Sequence, residues 1–205
     1  MVGLGIMGSG MAANLVRGGF EVVGYDPVPA RRARHRRNGG VVANSVDEVA
    51  RSAEILITSL PSAKALAIAA AEIAAAGNPK HIVIETSTLP IPDKEVARKR
   101  LTKSKAILLD CPLSGTGAQA RTKDLVVYAS GPRAAIRKCV PVFEGFARGH
   151  YDLGRFDNGP KMKLQANLLV AIPHVTSAAP ASLSRKPRSP APPPGRVPRP
   201  GAAAA

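Results

Sequence analysis

Gly3-Leu4-Gly5-Ile6-Met7-Gly8 stands at the head of the chain, and an acid, Asp26, follows 18 residues after the last of these glycines. A helical pattern from Met7 to Arg17 begins inside the motif, and a β-rich run from Phe20 to Tyr25 leads directly into Asp26. GxGxxG alone is a weak signal, because glycines are common in turns. Its value comes from context: glycines, helix, second strand and strand-end acid coincide at the spacing of a dinucleotide-binding unit. There the first glycine permits a tight turn, the second lets the backbone approach a pyrophosphate, and the third packs helix against strand. The helix N-terminus adds unpaired N–H groups and a positive dipole. Gly3, Gly5, Ile6, Met7 and Gly8 are therefore expected around the phosphates, with Asp26 on a ribose. A carboxylate there bonds the hydroxyls of NAD and repels a 2′-phosphate, so NAD is the expected cofactor. Arg31, Arg32, Arg34, Arg36 and Arg37 crowd the next helix and keep NADP open, although a solvated helix face explains most of them.

Outward from this unit the chain alternates strands and helices. Strands are expected at Ile55 to Leu60, His81 to Thr86, Ala106 to Leu109 and Leu125 to Ala129, and helices at Ala30 to Asn38, Ala63 to Ala76 and Asp93 to Thr102. Such alternation implies parallel strands joined by crossover helices, because a hairpin cannot join parallel neighbours. The fold class is α/β, a Rossmann-type doubly wound and mostly parallel sheet. Only Met1 and Val2 precede Gly3, so its first strand is expected to be truncated. A further helical pattern follows Asn158-Gly159-Pro160 and runs to Ile172, where Pro173 stops it. The expected organisation is a dinucleotide-binding domain over 1–157, the start of an interdomain helix over 158–173, and a disordered tail over 174–205.

Composition supports one packed domain. The chain has 205 residues, 45% of them hydrophobic, which is enough for a core. Its formal net charge of +15 is uneven, because no acid follows Asp157. From Ala178 onward there are eight prolines and no aromatic residue, so ordering that stretch would cost more than it could bury. Its basic residues lack the interleaved aromatics of a nucleic-acid surface, and no nucleic-acid partner is expected. No apolar run reaches the roughly 18 residues of a membrane span, and no leader precedes the glycine motif, so no membrane association and a cytoplasmic location are expected. Cys111 and Cys139 have no CxxC spacing; they and the histidines suggest no metal site.

Three separated motifs resemble the β-hydroxyacid dehydrogenase family, which includes 3-hydroxyisobutyrate dehydrogenase and the glyoxylate and succinic semialdehyde reductases. The stretch from Gly3 to Leu15 looks like the family's cofactor signature, and Asp110-Cys111-Pro112-Leu113-Ser114-Gly115-Thr116 resembles its substrate-binding signature. Gly159-Pro160-Lys161-Met162-Lys163-Leu164-Gln165-Ala166-Asn167 is similar to its catalytic helix. Asp157 stands where the family usually has glycine. The resemblance implies an NAD(P)-dependent oxidoreductase acting on a small 3-hydroxy acid or a semialdehyde, with Lys163 and Asn167 catalytic. It further implies that Ser114, Gly115 and Thr116 bind substrate and that Leu60, Pro61 and Thr88 line the cofactor. The residues agree: Lys163 and Asn167, four apart, share a helix face, and a lysine serves as a base when burial or a neighbouring cation lowers its pKa.

In the family this helix leads into an all-helical domain that completes the substrate pocket and makes most subunit contacts. The residues after Ile172 do not resemble it, and the expectation is a chain lacking that domain, its tail translated from a shifted reading frame. Homo-oligomerisation, usual in the family, is then not expected. A non-catalytic dinucleotide-binding protein is the alternative reading, against which the retained Lys163 counts.

Overall fold

The computed structural model describes residues 1–165; the expected tail, the helix beyond Gln165 and Asn167 lie outside the described residues. Strands β1 (Val23–Gly24) and β2 (Val41–Val42) pair in parallel, as do β3 (Ile55–Thr58), β4 (Ile82–Glu85) and β5 (Ile107–Asp110). Between these two groups runs the truncated first strand, reduced to a bridge. Val2 pairs in parallel with Tyr25 on one side and Thr58 on the other. Its N–H donates to the Ile57 carbonyl at 2.8 Å and its carbonyl accepts from Ser59 at 2.9 Å, while Gly3 N–H reaches Tyr25 O at 2.9 Å. The strand order β2-β1-Val2-β3-β4-β5 thus reverses at Val2, the point where open α/β sheets open a crevice for ligands. A second group follows, with β7 (Val126–Ala129) antiparallel to β6 (Leu113–Ser114) and parallel to β8 (Gly149–Asp152).

Successive strand residues face opposite ways, and the sheet is buried on both sides. Leu56, Val83 and Leu108 enter one cluster with Val49, Leu66 and Ile73 of α3 (Val46–Ser52) and α4 (Ala63–Ala75) and Leu101 of α5 (Ile91–Lys103). Their neighbours Ile57, Ile84 and Leu109 enter the other, with Met11 and Leu15 of α1 (Ile6–Arg17) and Phe143 and Phe146 of α7 (Arg133–Phe146). Helices start where serines cap them: Ser45 Oγ accepts from Glu48 N at 3.0 Å and Ser62 Oγ from Ala65 N at 3.2 Å.

The expected elements are found with shifted ends, each for a local reason. The strand expected from Phe20 is shorter, because Phe20 N–H turns back to the Leu15 carbonyl and closes α1. The strand expected to reach Leu60 ends at Thr58, because Leu60 N–H leaves the ladder for Ser87 Oγ. The helix α2 (Pro29–Arg37) begins on a proline, which suits a first-turn position. Six elements had no expectation: β2, α3, β6, α6 (Gly117–Arg121), α7 and β8. Most are too short to show a period. In α7, Pro141 lies inside the helix and masks its amphipathic pattern.

Both thiols are fully enclosed. Burial pushes the Cys139 thiol up to about 12 and raises that of Cys111, to which the neighbouring Asp110 carboxylate adds. Native protein at pH 8 is therefore expected to give no reaction with a disulfide reagent, and unfolded protein to give two thiols per chain; rapid native labelling would show that the core opens.

Candidate functional site

The predicted residues that the structure describes, all but Asn167, lie along or beside the carboxyl edge of the sheet, and the three glycines of the first motif differ in what surrounds them. Gly3 has φ +90°, and a Cβ on it would lie 2.2 Å from the Ser59 carbonyl, so the first loop is pressed against the loop after β3. A Cβ on Gly8 would lie 1.9 Å from the Gly3 carbonyl, which fixes how closely α1 approaches its own loop. At Gly5 a Cβ would meet nothing within 4 Å. Gly5 is also the N-cap of α1 and has no side chain to occupy the first-turn N–H groups. Open space over unpaired donors is the cradle that a pyrophosphate fits.

Asp26 is buried at the end of β1 and held from three sides. Leu4 N donates to Oδ2 and Val28 N to Oδ1, each at 2.9 Å, and Arg31 Nη1 lies 3.3 Å from Oδ2. Leu4 belongs to the glycine motif, so the acid and the phosphate cradle form one unit. Arg32 donates to the Asp26 carbonyl at 2.6 Å and Arg34 to the Leu4 carbonyl at 3.0 Å. Three of the five arginines are thus tied to the loop rather than simply solvated. A cavity of about 480 Å³ adjoins α1, lined in part by Ile6, Ser9, Arg34 and Arg121.

The contacts continue along the edge. Leu60 N, followed by Pro61, donates to Ser87 Oγ at 2.7 Å, which joins the loops after β3 and β4. One residue on, Thr88 Oγ1 accepts from Lys163 Nζ at 2.7 Å. The helical segment 158–165 that carries Lys163 enters tightly. A Cβ on Gly159 would come within 2.6 Å of Tyr128 O and 3.1 Å of Asp110 O, and Gly159 N donates to Ser130 Oγ at 3.2 Å. Asp157 has φ +81°, a left-handed turn that explains why glycine suits that position. Lys161 pairs with Asp157 at 3.1 Å on the exposed side, which separates it from Lys163. Burial first, and then the positive charge of Lys94, push the Lys163 amine below the ordinary lysine value.

The substrate-signature residues lie at β6 and its turn. Among the described residues no hydrogen bond engages the Ser114 hydroxyl, and Gly115 has φ +132°. Thr116 is committed elsewhere: it caps α6 in a capping box with Gln119, its N–H and hydroxyl both donating to Gln119 Oε1. A Cβ on Gly117 would lie 2.3 Å from Ile6 Cγ2, so this loop touches the first motif directly.

Sequence reasoning missed a cluster beneath this edge. Glu85, Lys94 and Asp110 are fully buried, with Lys94 Nζ 2.7 Å from Asp110 Oδ1. The available signal was two apolar strands, Ile82-Val83-Ile84-Glu85 and Ile107-Leu108-Leu109-Asp110, each ending on a carboxylate that needs a buried partner. Lys94 itself reads as one more solvated charge on a basic helix. Among the described residues no group of three His, Cys, Asp or Glu could hold a metal ion, and no helix is long and apolar enough to cross a membrane.

Comparison with known proteins accords with this layout. Residues 1–155 match the family model described as the NAD binding domain of 6-phosphogluconate dehydrogenase. A protein of Mycobacterium tuberculosis named "Probable 3-hydroxyisobutyrate dehydrogenase" is 29% identical over 185 residues, covering 90% of this chain and 63% of the relative. The L-threonate dehydrogenase of Cupriavidus necator is 32% identical over 185 residues, covering 88% and 62%. The solved structure of the Mycobacterium tuberculosis 3-hydroxyisobutyrate dehydrogenase with L-serine has a TM-score of 0.85 at 28% identity, covering 89% of this chain and 63% of that one. The chain therefore spans less than two thirds of the length of these relatives.

Proposed function

The chain belongs to the family of the NAD binding domain of 6-phosphogluconate dehydrogenase, and from that premise we propose that it binds NAD and serves hydride transfer on a small 3-hydroxy acid or its semialdehyde. The observation that carries this reading is the Lys163 amine held on Thr88 at the same sheet edge as the Gly5 cradle and Asp26. The nicotinamide, when bound, supplies the hydride acceptor or donor. In oxidation Lys163 takes the hydroxyl proton, and in reduction the protonated amine returns it to the carbonyl oxygen. Thr88 holds the amine in place, and the lowered basicity of Lys163 enlarges the share of free amine at neutral pH. The Ser114 hydroxyl and the Gly115 N–H hold the substrate carboxylate. Thr116 contributes through the shape of the turn it caps. Asn167, which lies outside the described residues, is assigned to orienting the hydroxyl.

NAD rather than NADP is proposed because the Asp26 carboxylate, held by Leu4 N and Val28 N, would hydrogen-bond the ribose hydroxyls, whereas a 2′-phosphate there would meet a like charge. Arg31, 3.3 Å from Asp26 and half exposed, is the side chain that would lie nearest a phosphate carried on that ribose. Titration of Asp26→Asn with both cofactors is expected to weaken NAD by about tenfold, the value of one charge-assisted hydrogen bond, and to raise NADP relative to NAD. Unchanged preference would remove Asp26 from the assignment. The enzymatic reading is tested by NADH oxidation with glyoxylate, succinic semialdehyde and methylmalonate semialdehyde, and by NAD reduction with L-serine and L-threonate. Cofactor binding with no turnover on any of them would overturn it.

A further inference from the structure

Three parallel strands end side by side in register, with Thr58 beside Glu85 and Glu85 beside Asp110. Residues paired in this way project to the same side of the sheet, so two carboxylates are buried next to each other. The first turn of α5 inserts a cation beside them, Lys94, 2.7 Å from Asp110 and with no solvent exposure. The cofactor and substrate chemistry uses none of the three. Each carboxylate-bearing residue nonetheless reaches toward Lys163. Glu85 accepts from Ser87 N at 2.7 Å and from Thr58 Oγ1 at 2.9 Å, and this sets the turn whose next residue, Thr88, receives Lys163 Nζ. The Asp110 carbonyl accepts from Ser130 Oγ at 2.9 Å, and Ser130 Oγ accepts from Gly159 N, four residues before Lys163. One buried cluster therefore underlies both anchors of the lysine: the hydroxyl that holds its amine and the backbone that launches its helix.

We propose that Lys94 is a positioning residue for Lys163: its buried ammonium holds the Asp110 carboxylate at the end of β5, beside Glu85 on β4, and so steadies the two strand ends that carry both anchors of Lys163. The proposal rests on the reading of Lys163 as the acid–base group. The other charges around Lys163 compensate one another. On α5, Glu95 pairs with Arg98 at 2.8 Å, and on the lysine's own segment Lys161 pairs with Asp157. Removing Lys94 takes away the cation that acts on Lys163, so the Lys163 amine then binds its proton more tightly; Glu85 and Asp110, whose carboxyls burial raises, take up protons rather than remain a bare negative pair. Among the described residues the charge of Lys94, after burial, acts on Lys163 in the direction that releases the proton.

The test is an NMR titration of the full chain with its accessible lysines reductively methylated with 13C-formaldehyde, the Lys163 signal being assigned by its loss in Lys163→Arg. In wild type Lys163 is expected to titrate below the exposed lysines. In Lys94→Met its midpoint is expected to move up toward them, while those of Lys64 and Lys99 stay in place. Because Lys94→Met orphans a buried carboxylate and could unfold the chain, Lys94→Met/Asp110→Asn removes the ion pair as a unit. The same upward movement is expected there. A wild-type Lys163 that titrates with the exposed lysines, or one that does not move in a folded variant, overturns the proposal. The readout needs no turnover: an inactive chain in which Lys163 responds to Lys94 keeps this proposal and discards the enzymatic reading, and an active chain in which Lys163 does not respond does the reverse.

Discussion

Gly5→Ala is expected to fold as wild type does and to bind the dinucleotide weakly, whereas Gly8→Ala, three residues on in the same motif, is expected to destabilise the fold. At Gly5 the backbone angles, φ −65° and ψ −161°, are open to alanine, and the added methyl meets nothing. The stability change is then that of an altered N-cap, within about 1 kcal/mol. The methyl fills the space over the first-turn donors of α1, and NAD affinity is expected to fall by about a hundredfold, close to 3 kcal/mol. At Gly8 the methyl would sit 1.9 Å from the Gly3 carbonyl, and a carbonyl built into the sheet edge cannot swing aside as a side chain would. Forced overpacking of this kind costs about 3 kcal/mol, or a Tm lower by roughly 10 °C for a domain of this size. Thermal unfolding and NAD titration of the two variants separate the effects. A Gly5→Ala protein that binds NAD normally would remove α1 from the cofactor site.

Lys163→Met is expected to lower kcat by about 10²- to 10⁴-fold, the range for removal of a positioned acid–base group, with NAD affinity unchanged. Methionine keeps the length of the side chain and removes only the amine, so what is lost is the proton transfer and the bond to Thr88. The pH dependence has a definite sign. Oxidation needs the free amine and rises as pH passes upward through the Lys163 pKa; reduction needs the ammonium and falls over the same window. Burial and Lys94 place that window below the ordinary lysine value. Steady-state rates in both directions across pH check this, and profiles with the same slope in both directions would exclude Lys163 as the shared group.

The fold was legible wherever a local rule was strong. The strand-helix alternation and the Gly3 to Asp26 spacing predicted the mostly parallel sheet, because each rests on residues that have no other common use together. The site was legible in its parts and not in its support. Lys163, Thr88 and Leu60 were named through the family resemblance, but nothing in a sequence says that Lys94, on a helix also carrying Lys99, Lys103 and three other charges within one turn of it, is the one turned into the core. That follows from Glu85 and Asp110 ending neighbouring strands in register, a fact of pairing rather than of pattern. Thr116 shows the opposite case. Its type and place suit a ligand contact, yet three residues later stands Gln119, and the capping box takes both partners.

The contact between Ile6 and Gly117 has a thermodynamic consequence under the proposed function. Ile6 lies between the loop assigned to the dinucleotide and the turn assigned to the substrate, so a ligand that shifts Ile6 would press on that turn. Any free energy that couples the two assigned sites is then the same whichever is filled first.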